Sequence, residues 1–115
     1  MTDDTELMDI INHTIARFNT KVNEDADLNK EMEGITKRVQ IELKDGGLYF
    51  FTLKDKHIDN VAPGGIPEPD IRIISDRATL VGVLKKEIKP MKAWATKKIS
   101  IKGSFQDLMK FRKFF

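Results

Sequence analysis

Cysteine is absent from this chain of 115 residues, which removes disulfides, thiolate metal sites and cysteine nucleophiles together. A disulfide-free domain suits a reducing compartment, so cytoplasmic residence is the expectation. No apolar run approaches the roughly 18 residues of a membrane span. The opening "MTDDTELMD" is acidic where a secretory leader is basic, so a soluble, unprocessed chain is expected. Proline is nearly confined to one place. Three of the four fall, with two glycines, in "PGGIPEPD", a composition that excludes regular structure there. Histidine occurs twice, as His13 and His57; neither has a visible set of partners, and both read as surface positions. The His-Glu-x-x-His, nucleophile-elbow and Walker spacings are missing as well. Glu68, Asp70 and Asp76 stand at a loop, a strand start and a helix start, where solvation and the helix dipole already favour carboxylates, so no metal site is expected of them. With no nucleophile beside a base, the chain is not expected to be an enzyme, and no cofactor is implied.

Charge of both signs is present but unevenly placed. Residues 1–33 hold nine acids against three bases, whereas residues 34–115 hold nine acids against seventeen bases. Either the basic part meets an anionic partner, or the two parts attract one another within one fold. Lys85, Lys86, Lys89, Lys92, Lys97 and Lys98 gather around Trp94. Because Trp94 shares a helical face with Met91 and Ala95, the side expected to be core, these lysines read as the wet backs of amphipathic helices. Nucleic acid is therefore not an expected partner. Phenylalanine is concentrated at the other extreme: of seven, Phe105, Phe111, Phe114 and Phe115 fall in the last eleven residues. Chain ends are usually where burial gives out, so such a tail requires a cover from the domain, a second copy, a membrane or a ligand.

The length is one domain's worth, and residues 1–115 are expected to form a single domain that hides roughly two-thirds of the surface its unfolded form exposes. Asp3 and Glu6 make a capping box ahead of Leu7, Ile11, Ile15, Phe18 and Val22, whose spacing of three and four predicts an amphipathic helix of about five turns. "DLNKEM" is a second, shorter helix that Gly34 ends in a left-handed turn. From Ile35 the period changes to two, with Val39, Ile41 and Leu43 alternating with Arg38, Gln40 and Glu42, and "KDGG" then turns the chain into "LYFFTLK" as a hairpin. A two-residue turn at Asp45-Gly46 sets Phe50 beside Ile41, whereas a three-residue loop with a glycine bulge sets Phe51 there. Either register leaves one of the two on the opposite face of the sheet. "HIDNVA" and "DIRIIS" supply a third and a fourth strand. Ser75 is expected to cap the next helix, which carries Leu80, Val83 and Leu84 on one face with Ile88 beyond its end. Pro90 opens a short helix, "KISIK" is a fifth strand with Ile99 and Ile101 inward, and Gly103 and Ser104 turn and cap the last helix, "FQDLMKFRKFF". This order predicts an α+β fold with a mostly antiparallel or mixed sheet of five strands and helices on one face.

Taken as a unit, "PDIRIISDRATLVGVLKKEIKPMKAWATKKISIKGSFQDLMKF" resembles the sterol carrier protein type 2 domain family. That family has an Asp-led strand, a Ser-Asp helix, a proline-started short helix, a strand ending in glycine and a terminal helix. Asp70, Ser75, Asp76, Leu80, Pro90, Ala93, Ile99, Ile101, Lys102 and Gly103 carry the likeness, and "VQIELKDGGLYFFTLKD" resembles the family's first hairpin. The likeness covers about residues 35–111. Two features depart from the pattern. Lys86 and Lys97 stand where the family often has glycine, and the final Lys-Phe-Phe replaces the Ser-Lys-Leu-type peroxisomal address of some relatives.

The resemblance implies a sheet and helices that enclose an apolar tunnel holding a lipid, bound and transferred without being transformed: a fatty acid, a fatty acyl thioester or a sterol-like ligand. By carry-over and by facing, the expected contacts are one of Phe50 and Phe51, with Leu80, Leu84, Met91, Trp94, Phe105, Leu108, Met109 and Phe111. An anionic membrane is a further expected partner, through the lysines near Trp94. The alternative is a dimerisation or protein-interaction module that buries the Phe-rich helix against a second copy.

Overall fold

The first helix, α1 (Thr5–Glu24), turns Leu7, Ile11, Ile15, Phe18 and Val22 inward, and all five are buried, as their spacing predicts. A computed structural model describes the backbone of residues 5–111 and the side chains of residues 5–109, so the expected Asp3 cap lies outside the described residues. Helix α2 (Ala26–Glu31) starts at Asp25, whose carboxylate accepts from the N–H groups of Asp27 and Leu28 at 3.0 and 3.1 Å. Gly34 follows with φ of 72°, the left-handed turn expected of it.

Six strands form one sheet: β1 (Lys37–Leu43), β2 (Leu48–Lys54), β3 (His57–Ile58), β4 (Ala62–Pro63), β5 (Ile71–Ser75) and β6 (Ile99–Gly103). The order is β3-β2-β1-β5-β6, with β4 also against β2. Only β1 and β5 run parallel; the other pairs are antiparallel. The third strand expected at "HIDNVA" arrives in two pieces because the Val61 N–H leaves the ladder and donates to the side-chain Oδ1 of Asn12 on α1 at 2.8 Å. Asn19 works on the same edge, donating to the Ile58 carbonyl and accepting from its N–H, both at 2.9 Å. Helix α1 thereby covers an edge that would otherwise offer unpaired backbone groups.

The hairpin closes differently from both expected registers. Leu43 N–H bonds the Gly47 carbonyl at 3.0 Å, so the loop is Lys44-Asp45-Gly46. Ile41 consequently faces Tyr49, Gln40 faces Phe50 and Val39 faces Phe51. Gly46 and Gly47 accept the tight turn at φ of 102° and 115°, a region open to glycine without steric cost. This register puts Val39, Ile41, Tyr49 and Phe51 on the buried face under the helices, and Phe50 on the other. The outer face is partly roofed by the proline-rich loop: Ile66 N–H donates to Gln40 Oε1 at 2.9 Å, which satisfies a side chain only 8% exposed.

Helix α3 (Arg77–Leu84) is capped by Asp76 and not by Ser75. Ser75 is still extended, paired with Leu43 and Ile99 in the sheet, and its buried hydroxyl donates to the Asp76 carbonyl at 2.9 Å. Asp76 accepts from Thr79 N–H at 3.0 Å and from the Thr79 hydroxyl at 2.7 Å. These bonds hold its carboxyl below the ordinary carboxylate range. Helix α4 (Pro90–Ala95) has proline in its first turn as expected, but its inward residue is Ala93, 1% exposed. Met91 and Trp94 are 69% and 57% exposed. The expectation that Met91, Trp94 and Ala95 form the core side is thus corrected: a single turn and a half lying close to the body admits one small residue, and the bulky ones point out.

Helix α5 (Phe105–Phe111) is capped by Ser104, whose hydroxyl oxygen accepts from Asp107 N–H at 3.1 Å. Its placement depends on Gly103. A Cβ there would stand 2.9 Å from the Asp70 backbone carbonyl, 3.4 Å from Ile71 and 3.6 Å from Leu108, so only glycine lets β6 end against β5 with Leu108 folded back over it. Expected Phe114 and Phe115 lie outside the described residues.

Candidate functional site

An apolar cavity lies between the buried face of the sheet and the helices. Its volume is about 40 Å³, and its lining is Phe18, Met32, Ile35, Val39, Phe51, Leu53, Ile58 and Ile71, with Lys37 and Asp107 at the rim. Each element contributes for a local reason. Helix α1 presents Phe18 on its inward stripe, and Met32 follows the last turn of α2. The hairpin register sends Phe51 to this face, and Ile71 opens β5 beside Val39.

The rim is where the only charged lining stands. Lys37 Nζ lies 2.7 Å from Asp107 Oδ1, joining the start of β1 to the first turn of α5, with side chains 28% and 12% exposed. The hydrogen bond to Asp107 raises the Lys37 pKa above its ordinary value, the charges of Asp107 and nearby Asp70 adding to it while desolvation opposes. Asp70 is otherwise engaged: its carboxylate accepts from Arg38 N–H at 2.8 Å, which clasps the start of β5 to β1.

Of the expected contact residues whose side chains are described, Phe51 alone lines this cavity. Phe50 stands half-buried on the outer face, near Gly64 of the proline-rich loop. Leu80 is buried in the core at 2% exposure. Leu84 lines a separate open groove of about 1160 Å³ between α1 and α3, whose wall also carries His13, Arg17, Lys21, Lys86 and Lys89. Met91 and Trp94 face outward on α4, and Phe105 and Met109, 78% and 45% exposed, face outward on α5. Leu108 is half-buried against Gly103, and the side chain of Phe111 lies outside those described. An alkyl chain is recognised by apolar surface, so the cavity and not the charged groove is the candidate site. Sequence reasoning had Phe18 and Val39 as core and missed Lys37 and Asp107 entirely, since nothing local links two residues on elements so far apart in the chain.

His13 and His57 are exposed, as expected. Among the described residues no cluster of three metal-binding side chains occurs, and no helix is long and apolar enough to cross a membrane.

The sheet order and the helices packed on it define an α+β domain with a mixed, mostly antiparallel sheet. The model of the SCP-2 sterol transfer family matches residues 15–115, and the chain belongs to that family. Among solved structures, a UbiJ-SCP2 ubiquinone synthesis protein is 14% identical with a TM-score of 0.64, over 91% of each chain. Sterol carrier protein 2 like 2 from Aedes aegypti is 17% identical with a TM-score of 0.54, over 90% of this chain and 94% of that one. A double mutant of the sec-alkyl sulfatase PisA1 is similar at 15% identity and a TM-score of 0.62, but there the match covers 75% of this chain and only 14% of the sulfatase. These likenesses establish the fold. A search of curated proteins returns no match.

Proposed function

We propose that residues 1–115 act as one non-enzymatic lipid-binding and transfer domain that holds a long apolar chain in the cavity beneath the helices. The observation that carries this reading is the cavity's composition: eight apolar side chains and a single ion pair at its rim. Its present volume of about 40 Å³ is far below the 300–1000 Å³ or so of ordinary ligand sites, so loading requires the cover to swing out. Helix α5 is suited to be that cover. It leaves Phe105 and Met109 exposed, and it is held by Leu108 against Gly103 and by the Lys37–Asp107 pair. Each methylene buried returns about 0.8 kcal/mol, so a long chain offsets the cost of displacement. Mass spectrometry of an organic extract of the purified protein, with displacement of a fluorescent fatty acid, tests the reading. Stoichiometric amphiphile or displacement is expected; clean extracts together with no displacement overturn it.

Exchange of the lipid with an anionic membrane through the α4 face forms part of the same proposal. Met91 and Trp94 point outward, with Lys92, Lys97 and Lys98 exposed on the same short stretch of chain. Lys85 is instead paired with Glu6 of α1 at 3.6 Å, and Lys86 and Lys89 line the groove beside α1, so the membrane-facing charge of this reading rests on the first three lysines. Co-sedimentation with vesicles that rises with anionic lipid content and falls with salt is the expected result. A second reading is supported by the exposure of Phe105 at 78%, namely that α5 packs against a second copy. Sedimentation of the wild type and of Phe105→Ser distinguishes them, since a dimer that the substitution converts to monomer favours the interface.

A further inference from the structure

The cavity has an apolar interior and one charged corner, and the chemistry of that corner bears on the head group of its ligand. Lys37 is the cation of the rim, and the group opposite it is already a carboxylate: Asp107 Oδ1 stands 2.7 Å from Lys37 Nζ. The Asp107 side chain therefore marks a position in which a carboxylate meets this ammonium at the mouth of a hydrocarbon-lined space. Resting on the lipid-binding reading, we propose that the ligand is a fatty acid whose carboxylate displaces Asp107 from Lys37, so that the ion pair serves both as the latch on α5 and as the head-group site.

The exchange keeps the charges balanced. A charge held near apolar surface is costly when its partner leaves, and a neutral alcohol or sterol entering past Lys37 would leave the ammonium facing a displaced Asp107. A carboxylate head replaces like with like while its chain fills the space behind. Asp70, the other carboxylate that acts on Lys37, stays clasped to the Arg38 N–H through Oδ2, at the start of a strand that does not move with α5. Asp107 belongs to the helix that must move outward in any case, so its release and the opening of the cavity are one motion. The pair also biases the unliganded domain closed, and a ligand that breaks it shifts the population toward the open form only by as much as it binds that form better.

The test measures displacement of a fluorescent fatty acid by palmitate, by hexadecanol and by the lysophospholipid of the same chain length, on the wild type and on Lys37→Met, Lys37→Arg and Asp107→Asn, each checked for folding by circular dichroism. Wild type is expected to prefer palmitate to hexadecanol by about tenfold or more. Lys37→Met is expected to lose that preference with hexadecanol unchanged, Lys37→Arg to keep it, and Asp107→Asn to bind both palmitate and hexadecanol several-fold more tightly through the weakened latch. A folded Lys37→Met that retains the palmitate preference overturns the head-group assignment while leaving lipid binding intact. Preference for the lysophospholipid over palmitate overturns the carboxylate and assigns the corner to phosphate. Failure of every competitor to displace the probe from wild type removes the lipid-binding reading itself.

Discussion

Substituting Lys97 by glycine is expected to stabilise this protein, a result that no side-chain contact predicts. Lys97 follows the end of α4 with φ of 61°, and Lys86 follows the end of α3 with φ of 63°. Their hydrogen bonds form the same pattern: Lys97 N–H to the Trp94 carbonyl and Lys98 N–H to Ala93, then Lys86 N–H to Val83 and Glu87 N–H to Gly82, at distances from 2.8 to 3.1 Å. Both are Schellman caps with lysine in the left-handed position where glycine is usual. The left-handed conformation costs a residue bearing a Cβ about 1–2 kcal/mol. Glycine returns about 0.5–1 kcal/mol of that through its greater freedom in the unfolded chain. The net gain is about 0.5–1 kcal/mol for each site, which for a chain of this size is about 2–5 °C in Tm. Thermal and urea melts of Lys97→Gly, Lys86→Gly and the pair measure it. Lys97→Ala is the control, since it removes the charge but keeps the Cβ. Refutation is a Lys97→Gly protein no more stable than Lys97→Ala, because the strain would then not be where the dihedral angle puts it. Strain is retained in natural proteins where function opposes its removal, so the same glycine variants are expected to bind anionic vesicles less well than the wild type.

Three further outcomes follow from particular contacts. Asp76→Ala is expected to cost about 1 kcal/mol at neutral pH as a lost helix cap. Because the folded carboxyl titrates below its unfolded value, that stabilisation is full above about pH 4 and fades as pH falls through the folded pKa, so wild type and variant should converge in acid-range melts. Ile15→Ala, at a side chain 1% exposed, is expected to cost about 2–5 kcal/mol in urea unfolding, whereas His13→Ala on the exposed side of the same helix should change stability by less than about 0.5 kcal/mol. Gly103→Ala drives a Cβ to 2.9 Å from the Asp70 carbonyl; the expected loss is about 1–3 kcal/mol, and if α5 is the cover, the fluorescent fatty acid should also enter faster.

Elements with a strong period were legible directly. The stripe from Leu7 to Val22 is inward residue for residue, the Gly34 turn and the Ser104 cap are where turn chemistry put them, and the family likeness rested on the order of elements between Asp70 and Gly103. Errors arose where one residue decides between neighbours. Ser75 and Asp76 are both good caps, and only the pairing of Ser75 with Leu43 and Ile99 in the sheet selects Asp76. On α4 the spacing of Met91, Trp94 and Ala95 looked like a core stripe, but a helix of six residues has too little periodicity to announce its inward side.

The amino-acid order by itself determined the class of fold, its two layers and which faces of the long elements are greasy, because burial imposes periods of two and 3.6 that are written along the chain. The site was decided only in three dimensions. Whether Phe50 or Phe51 reaches the cavity depends on a loop closing one residue early, and Lys37 meets Asp107 only because β1 and α5 are brought to the same end of the sheet. Interactions between residues distant in sequence leave no local pattern, and in this protein they set the rim through which a ligand must pass.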